Sequence, residues 1–240
     1  MYRFSHQSIS HLKLLLEKYA SRFRHIFVIT ESVFSMDGDT ANLKELILLK
    51  QNFPITFILD EAHATGLFGQ TGSGLAQSEG VNSHIDILIG TYGKALGGFG
   101  GYVAGSLLLK KYLIQKCRSF IYSTALPPSI CLSAMSAMNL ISTEPERRNL
   151  VQKNAHFLRA LLQNQGWKTN STTPIIPILM PDNETALRKA QQLRDEGFWV
   201  TAIRKPTVPT PRLRLSITWN HPQNILMDLV EVFGKPTHPA

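Results

Sequence analysis

Three short apolar runs constrain this chain more than any other feature: HIFVIT at 25–30, ITFIL at 55–59 and IDILIG at 85–90. Each is too short for a helix and lacks the sustained alternation of a half-exposed strand, so each reads as a strand buried on both faces. Helical patterns separate them. Between Ser10 and Ala20, Leu12, Leu15, Leu16 and Tyr19 share one face, and Asn42 to Gln51 forms a second helix. Buried strands alternating with helices predict an α/β fold, a mostly parallel sheet with helices on both faces. GGYVAGS at 100–106 adds a candidate strand, and LLLKKYLIQKC the helix after it.

From Pro127 the chain changes character. PPSICLSAMSAMNLI opens with prolines suited to a helix N-terminus and continues as a small-residue helix. ERRNLVQKNAHFLRALLQNQG follows as a long helix, with Gly166 as its C-cap. PIIPILM, FWVTAI and RLRLSIT read as strands, ETALRKAQQLRDEG and NILMDLVEVFG as helices. The spacing therefore predicts a large α/β domain over residues 1–143 and a smaller α+β domain over 144–240.

Composition removes several classes. Lys and Arg exceed Asp and Glu by 25 − 17 = 8 in the 240 residues, but the charges are scattered and form no nucleic-acid-binding block. No apolar run approaches the roughly 18 residues of a membrane span. MYRFSHQSISHL has no apolar core of a secretory signal. Cys117 and Cys131 form neither a disulfide framework nor a C-x-x-C metal pair, and buried thiols in the cytoplasm are expected. No metal site, membrane or nucleic-acid partner is expected.

In a parallel sheet, ligands bind where loops leave the carboxyl ends of the strands. The first strand delivers Glu31, Ser35 and Asp37 to that edge, the second Asp60 and His63, the third Thr91 and Lys94. A carboxylate after ITFIL needs a cation or several donors to offset desolvation. A protonated ring nitrogen would serve; capping the following turn is the plainer alternative. His63 either faces the same ligand or is a satisfied structural histidine. Lys94, in TYGKALGGFGG, has little bulk around it, so a large group can approach. Its amine forms a Schiff base with an aldehyde when burial or a nearby charge favours the neutral form; otherwise it is a surface lysine in a loop. The letters DEAH also occur in helicases, but those need a phosphate-binding G-x-x-x-x-G-K-[ST] loop upstream, and none precedes Asp60.

TESVFSMDGD, LDEAHATGLFGQTGSG, TYGKALGGFGG, IYSTALPP and AIRKPTVPTPRLRLSIT, taken together and in order, resemble the α-oxoamine synthases, fold-type I enzymes of pyridoxal 5'-phosphate (PLP). The resemblance runs from about Arg3 onward. It implies that Lys94 carries the cofactor as a Schiff base and that Asp60 pairs with the pyridinium nitrogen. It further implies that His63 and Ser35 hydrogen-bond the phenolate oxygen and that Thr91 binds the phosphate. Ser123 and Thr124 would reach the phosphate of a partner subunit's site, because the family works as a homodimer. Thr207 would touch the acyl substrate, and Arg214 would hold the amino acid's carboxylate with its bidentate fork. WVTAIRKPTVP is most similar to the member that condenses L-alanine with a pimeloyl thioester, of coenzyme A or a carrier protein, with loss of carbon dioxide, in biotin synthesis. A glycine C-acetyltransferase-like activity is the alternative within the family.

The sequence departs from that family in three places. It opens where the family's members are already well inside the large domain, without the N-terminal arm, the phosphate-seating Gly/Ser loop and the ring-stacking residue. This predicts bare apolar faces and a bare sheet edge, impaired turnover, and either a complementing N-terminal chain or a non-catalytic remnant that only dimerises. Thr210-Pro211 is shorter than the usual link before Arg214, and Lys205 stands where a proline is common.

Overall fold

The computed structural model describes residues 1–236. Contacts divide the chain into two units: Met1–Val33 with Ala41–Pro145, and Phe34–Thr40 with the chain from Glu146 on.

The N-terminal unit contains α1 (Ile9–Tyr19), β1 (Ile26–Glu31), α2 (Leu43–Asn52), β2 (Ile55–Asp60), the single turn α3 (Leu75–Ser78), β3 (Ile87–Thr91), β4 (Gly101–Gly105), α4 (Leu107–Lys116), the single turn α5 (Arg118–Ile121) and α6 (Pro128–Thr143). Side-chain oxygens of Ser8, Asn42 and Ser106 cap α1, α2 and α4 by accepting from the backbone N–H three residues on. The strands lie in the order β1-β2-β3-β4, parallel across the first three and antiparallel between β3 and β4. Central strand β2 points Ile55, Phe57 and Leu59 inward, and α2 buries Leu43, Leu46, Ile47 and Leu49. Each fully buried leucine or phenylalanine contributes about 1.5–3 kcal/mol. That core fixes the ends of β1, β2 and β3 along one edge.

Other apolar surface is not covered. Phe27 and Ile29 of β1 are 58% and 60% exposed, α4 buries none of its residues, and α6 buries only Ala134. Cys131 on α6 is accordingly exposed and Cys117 only half-buried, a correction to the buried thiols expected from sequence. The third strand starts later than IDILIG suggests, because Asn82–His84 form a 3-10 turn. There the Asp86 carboxylate is taken up by the Phe57 N–H at 2.6 Å and Lys50 Nζ at 2.7 Å.

The C-terminal unit contains α7 (Pro145–Asn164), β5 (Ile175–Leu179), α8 (Asn183–Asp195), β6 (Thr201–Ile203), β7 (Arg212–Ser216) and α9 (Gln223–Phe233). Its sheet has the order β5-β7-β6, with β7 central and antiparallel to both neighbours. Leu158, Leu162, Ile176, Ile178, Leu193, Leu213 and Phe233 form a fully buried core. Gly166, at φ +100°, ends α7, and the Trp167 N–H returns to Leu162 O. FWVTAI gives only a three-residue strand. Phe198 N–H is spent closing α8 onto Leu193 O beside Gly197 at φ +87°.

Residues Phe34–Thr40 belong to this unit although they follow β1 directly in sequence. Gly38 O accepts from Ser171 Oγ (3.1 Å), Thr173 Oγ1 (2.9 Å) and Thr172 N (3.1 Å). Gly38 has φ +65°, and any Cβ there would run into Ile175 O, so glycine is required on both counts. Among the described residues, no helix is long and apolar enough to cross a membrane.

Candidate active site

In the N-terminal unit, β1, β2 and β3 end together. Glu31 and Asp60 are register partners, and Asp60 also pairs with Ile89, two residues before the end of β3 at Thr91. Asp60 Oδ1 accepts from the Ala62 N–H at 2.8 Å. The carboxylate thus does cap the turn that follows, and that single bond uses one of its roughly four acceptor positions. His63 lies half-buried on the same turn. The N–H groups of Ala64 and Thr65 close the turn onto Glu61 O.

What holds that turn is Glu61, which sequence reasoning passed over as a letter of the DEAH box. It is fully buried. Its carboxylate accepts from Ser32 Oγ (2.6 Å), Leu75 N (3.1 Å) and Ala76 N (2.8 Å), tying the β2 exit to the β1 exit and to α3. Burial pushes the Glu61 carboxyl up from its ordinary 4.5, against the pull of Ser32 and the two amides. Gly74 makes room for it: at φ +129°, a Cβ there would lie 2.7 Å from the Glu61 carboxyl carbon.

The loop after β3 closes on itself. Thr91 Oγ1 donates to Gly100 O (3.0 Å) and accepts from Gly93 N (3.1 Å). The N–H of Gly97 returns to Lys94 O and that of Tyr92 to Gly100 O, both at 2.9 Å. Lys94 is thereby presented on a short, bonded loop, and its side chain is exposed. Tyr102 of β4 was also not anticipated. A Cβ on Gly90 would collide with the Tyr102 ring, whose hydroxyl reaches Thr65 Oγ1 at 3.1 Å and so links β4 to the turn carrying His63. Burial raises the Tyr102 phenol above its usual 10.0. Ser123 and Thr124 are exposed beyond α5, and Ser123 Oγ donates to Ser119 O.

In the C-terminal unit, alternation along β7 sends Leu213 and Leu215 into the core and Arg212 and Arg214 to the opposite face. Arg214 Nε donates to Ser35 O at 2.7 Å and Nη1 to Ser216 Oγ at 3.2 Å. Burial lowers the pKa of the Arg214 guanidinium from its usual value. Arg212 Nη1 donates to Asp37 Oδ1 (2.6 Å) and Met36 O (2.9 Å), and Nε to Thr210 O (3.3 Å). Thr207 is exposed in the turn between β6 and β7.

These strand-end residues sit on a recognisable scaffold: the chain belongs to the aminotransferase class I and II family, which matches residues 2–233. Its individual relatives are narrower in name. A Haemophilus influenzae protein called "Putative 8-amino-7-oxononanoate synthase" is 44% identical over 221 residues, 90% of this chain and 58% of that protein. One of the same name from Neisseria meningitidis serogroup A is 42% identical over 237 residues, 97% of this chain and 61% of that protein. The chain thus spans about three-fifths of the length of these relatives. Among solved structures, serine palmitoyltransferase of Sphingomonas wittichii matches with a TM-score of 0.89 and 28% identity, over 96% of this chain and 59% of that one. The 8-amino-7-oxononanoate synthase of Francisella tularensis matches with a TM-score of 0.83 and 29% identity, over 97% of this chain and 67% of that one.

Proposed function

We propose that this chain is a PLP-dependent acyltransferase of the α-oxoamine synthase group. It would join L-alanine to a pimeloyl thioester, with loss of carbon dioxide, to give 8-amino-7-oxononanoate, a step of biotin synthesis. The observation that carries the reading is the register of β1, β2 and β3. It puts the Asp60 carboxylate and the glycine-rich loop bearing Lys94 at neighbouring strand ends.

The donor set fits the cofactor. Asp60 is an acceptor for a protonated ring nitrogen, Lys94 a primary amine for its aldehyde, and His63 and Ser35 are polar partners for its phenolic oxygen. When bound, PLP supplies an electron sink that stabilises negative charge at the amino acid's α-carbon. The chain's own residues do the rest. Asp60 keeps the ring nitrogen protonated by offering it a charged acceptor. Lys94 Nζ would hold the aldehyde carbon until the amino acid's own amine takes its place there, and the lysine amine so released would be the base that receives the α-proton. Glu61, by locking the 60–65 turn, keeps Asp60 and His63 oriented. Thr91, with Ser123 and Thr124 from a second subunit of a homodimer, would seat the phosphate, the Thr91 and Ser123 hydroxyls turning their protons to it from Gly100 O and Ser119 O. Arg214 takes the substrate carboxylate, and Thr207 contacts the acyl chain. With Arg214 Nε committed to Ser35 O and one Nη1 proton to Ser216 Oγ, the edge left for a carboxylate is formed by the other Nη1 proton and Nη2.

A second reading, a non-catalytic subunit that binds a complementing chain or a longer relative, is favoured by the exposed apolar residues of α4 and α6, such as Leu108, Tyr112, Leu132 and Met135. Purified protein incubated with PLP, L-alanine and pimeloyl-coenzyme A separates the two. Release of free coenzyme A thiol that Lys94→Ala abolishes supports the synthase. No release, alone or with a complementing chain, supports the binding subunit. A cytoplasmic setting suits both.

A further inference from the structure

The geometry points to Arg212 as a positioning residue that joins the three segments carrying Ser35, Thr207 and Arg214. This rests on the proposed function for the roles of those three residues, but the joint itself is a matter of geometry. Arg212 lies on the same face of β7 as Arg214, two residues away, and its side chain is only 5% exposed. Through Nη1 it holds Met36 O and the Asp37 carboxylate of segment 34–40, and through Nε it holds Thr210 O at the end of the turn that begins near Thr207. Arg214 grips the same segment one residue earlier, at Ser35 O. Two arginines at alternate positions thus clasp three consecutive residues of a segment that arrives from about 175 residues away in sequence.

Stability alone does not explain a guanidinium in that position. Burying a charge is costly, and an apolar residue of similar volume on a covered sheet face is usually as stable. What the arginine adds is directionality: donors at fixed angles that a methionine or leucine lacks. Arg212 therefore sets the spacing between the carbonyl that Arg214 must hold and the outer guanidinium edge left for a carboxylate. Without it, Arg214 alone would hold residues 35–37, since the bonds from Ser171, Thr172 and Thr173 reach only Gly38 O, and the amino acid's carboxylate would compete for the same side chain.

The test uses the whole chain with Arg212→Met, Arg212→Lys and Asp37→Asn. Hydrogen exchange is followed in peptides covering 34–40, where the N–H groups of Phe34 and Gly38 are bonded to Asp39 O and Phe34 O, and in β5 and α9 as references. In parallel, PLP-loaded protein is titrated with L-alanine by absorbance. In Arg212→Met, exchange in 34–40 is expected to rise about tenfold, the order controlled by one charge-assisted hydrogen bond, with β5 and α9 unchanged. The apparent L-alanine Kd should rise by a similar factor, roughly tenfold, although Arg212 is not assigned a contact with the amino acid. Arg212→Lys should recover part of both effects. Should Arg212→Met not fold, Asp37→Asn, at a half-exposed carboxylate, gives the exchange result. Unchanged exchange in 34–40, or a uniform rise across the unit, overturns the inference. If the unsubstituted protein takes up no PLP, the proposed function fails, while the exchange experiment still decides the role of Arg212.

Discussion

Replacing Glu61 with alanine tests how the turn carrying Asp60 and His63 is held. The substitution removes the acceptor for three donors at once: Ser32 Oγ and the N–H groups of Leu75 and Ala76. The site is closed, with Glu61 fully buried and Ser32 also at 0% exposure. Each donor left without a partner costs about 1–3 kcal/mol. Relief from burying a carboxylate offsets part of that sum, which leaves a net loss of roughly 3 kcal/mol, the low end for three unpartnered donors. Glu61→Gln should fall between, because its amide nitrogen would meet N–H groups where an acceptor is required. Urea denaturation followed by circular dichroism gives the number. The pH dependence carries a sign of its own. Since burial raises the Glu61 carboxyl above 4.5, the stability tied to its protonated form is fully present below that value. It is lost as pH rises through the folded value, and Glu61→Gln should remove that slope. A loss under about 1 kcal/mol for Glu61→Ala would refute the reasoning, since it would mean the three donors find other partners.

Two further outcomes follow from single contacts. Tyr102→Phe deletes only the hydroxyl that meets Thr65 Oγ1 and should cost about 1 kcal/mol in the same denaturation assay, without altering the secondary structure. His221, whose Nδ1 accepts from Thr218 N, is held below its usual 6.5 by burial, so its contribution is present above that value and is lost as pH falls through the folded one. A thermal-melt series across that window should flatten in His221→Asn.

The fold and the site were legible to different degrees, for physical reasons. HIFVIT and ITFIL announced parallel strands because both of their faces are apolar, and that pattern is local. Asp60 and Lys94 stood out because polar residues at the ends of such strands are conspicuous. FWVTAI misled because Phe198 is spent closing α8, a use of the backbone that hydrophobicity does not encode. Glu61 was hidden because its partners, Ser32 and the N–H groups of Leu75 and Ala76, lie in other loops. The allegiance of segment 34–40 was hidden more deeply. Its bonds run to Ser171, Thr173, Arg212 and Arg214, and nothing within SMDGD signals partners that distant.

Everything proposed for the site depends on one aldehyde-bearing ring held by Lys94 with Asp60 at its nitrogen. Incubating the protein with PLP, reducing it with borohydride and mapping the peptides by mass tests this most directly. A single pyridoxyl adduct on Lys94, weakened strongly in Asp60→Ala, is expected. An adduct on another lysine, or scattered over the surface lysines with Lys94 unmarked, would contradict it.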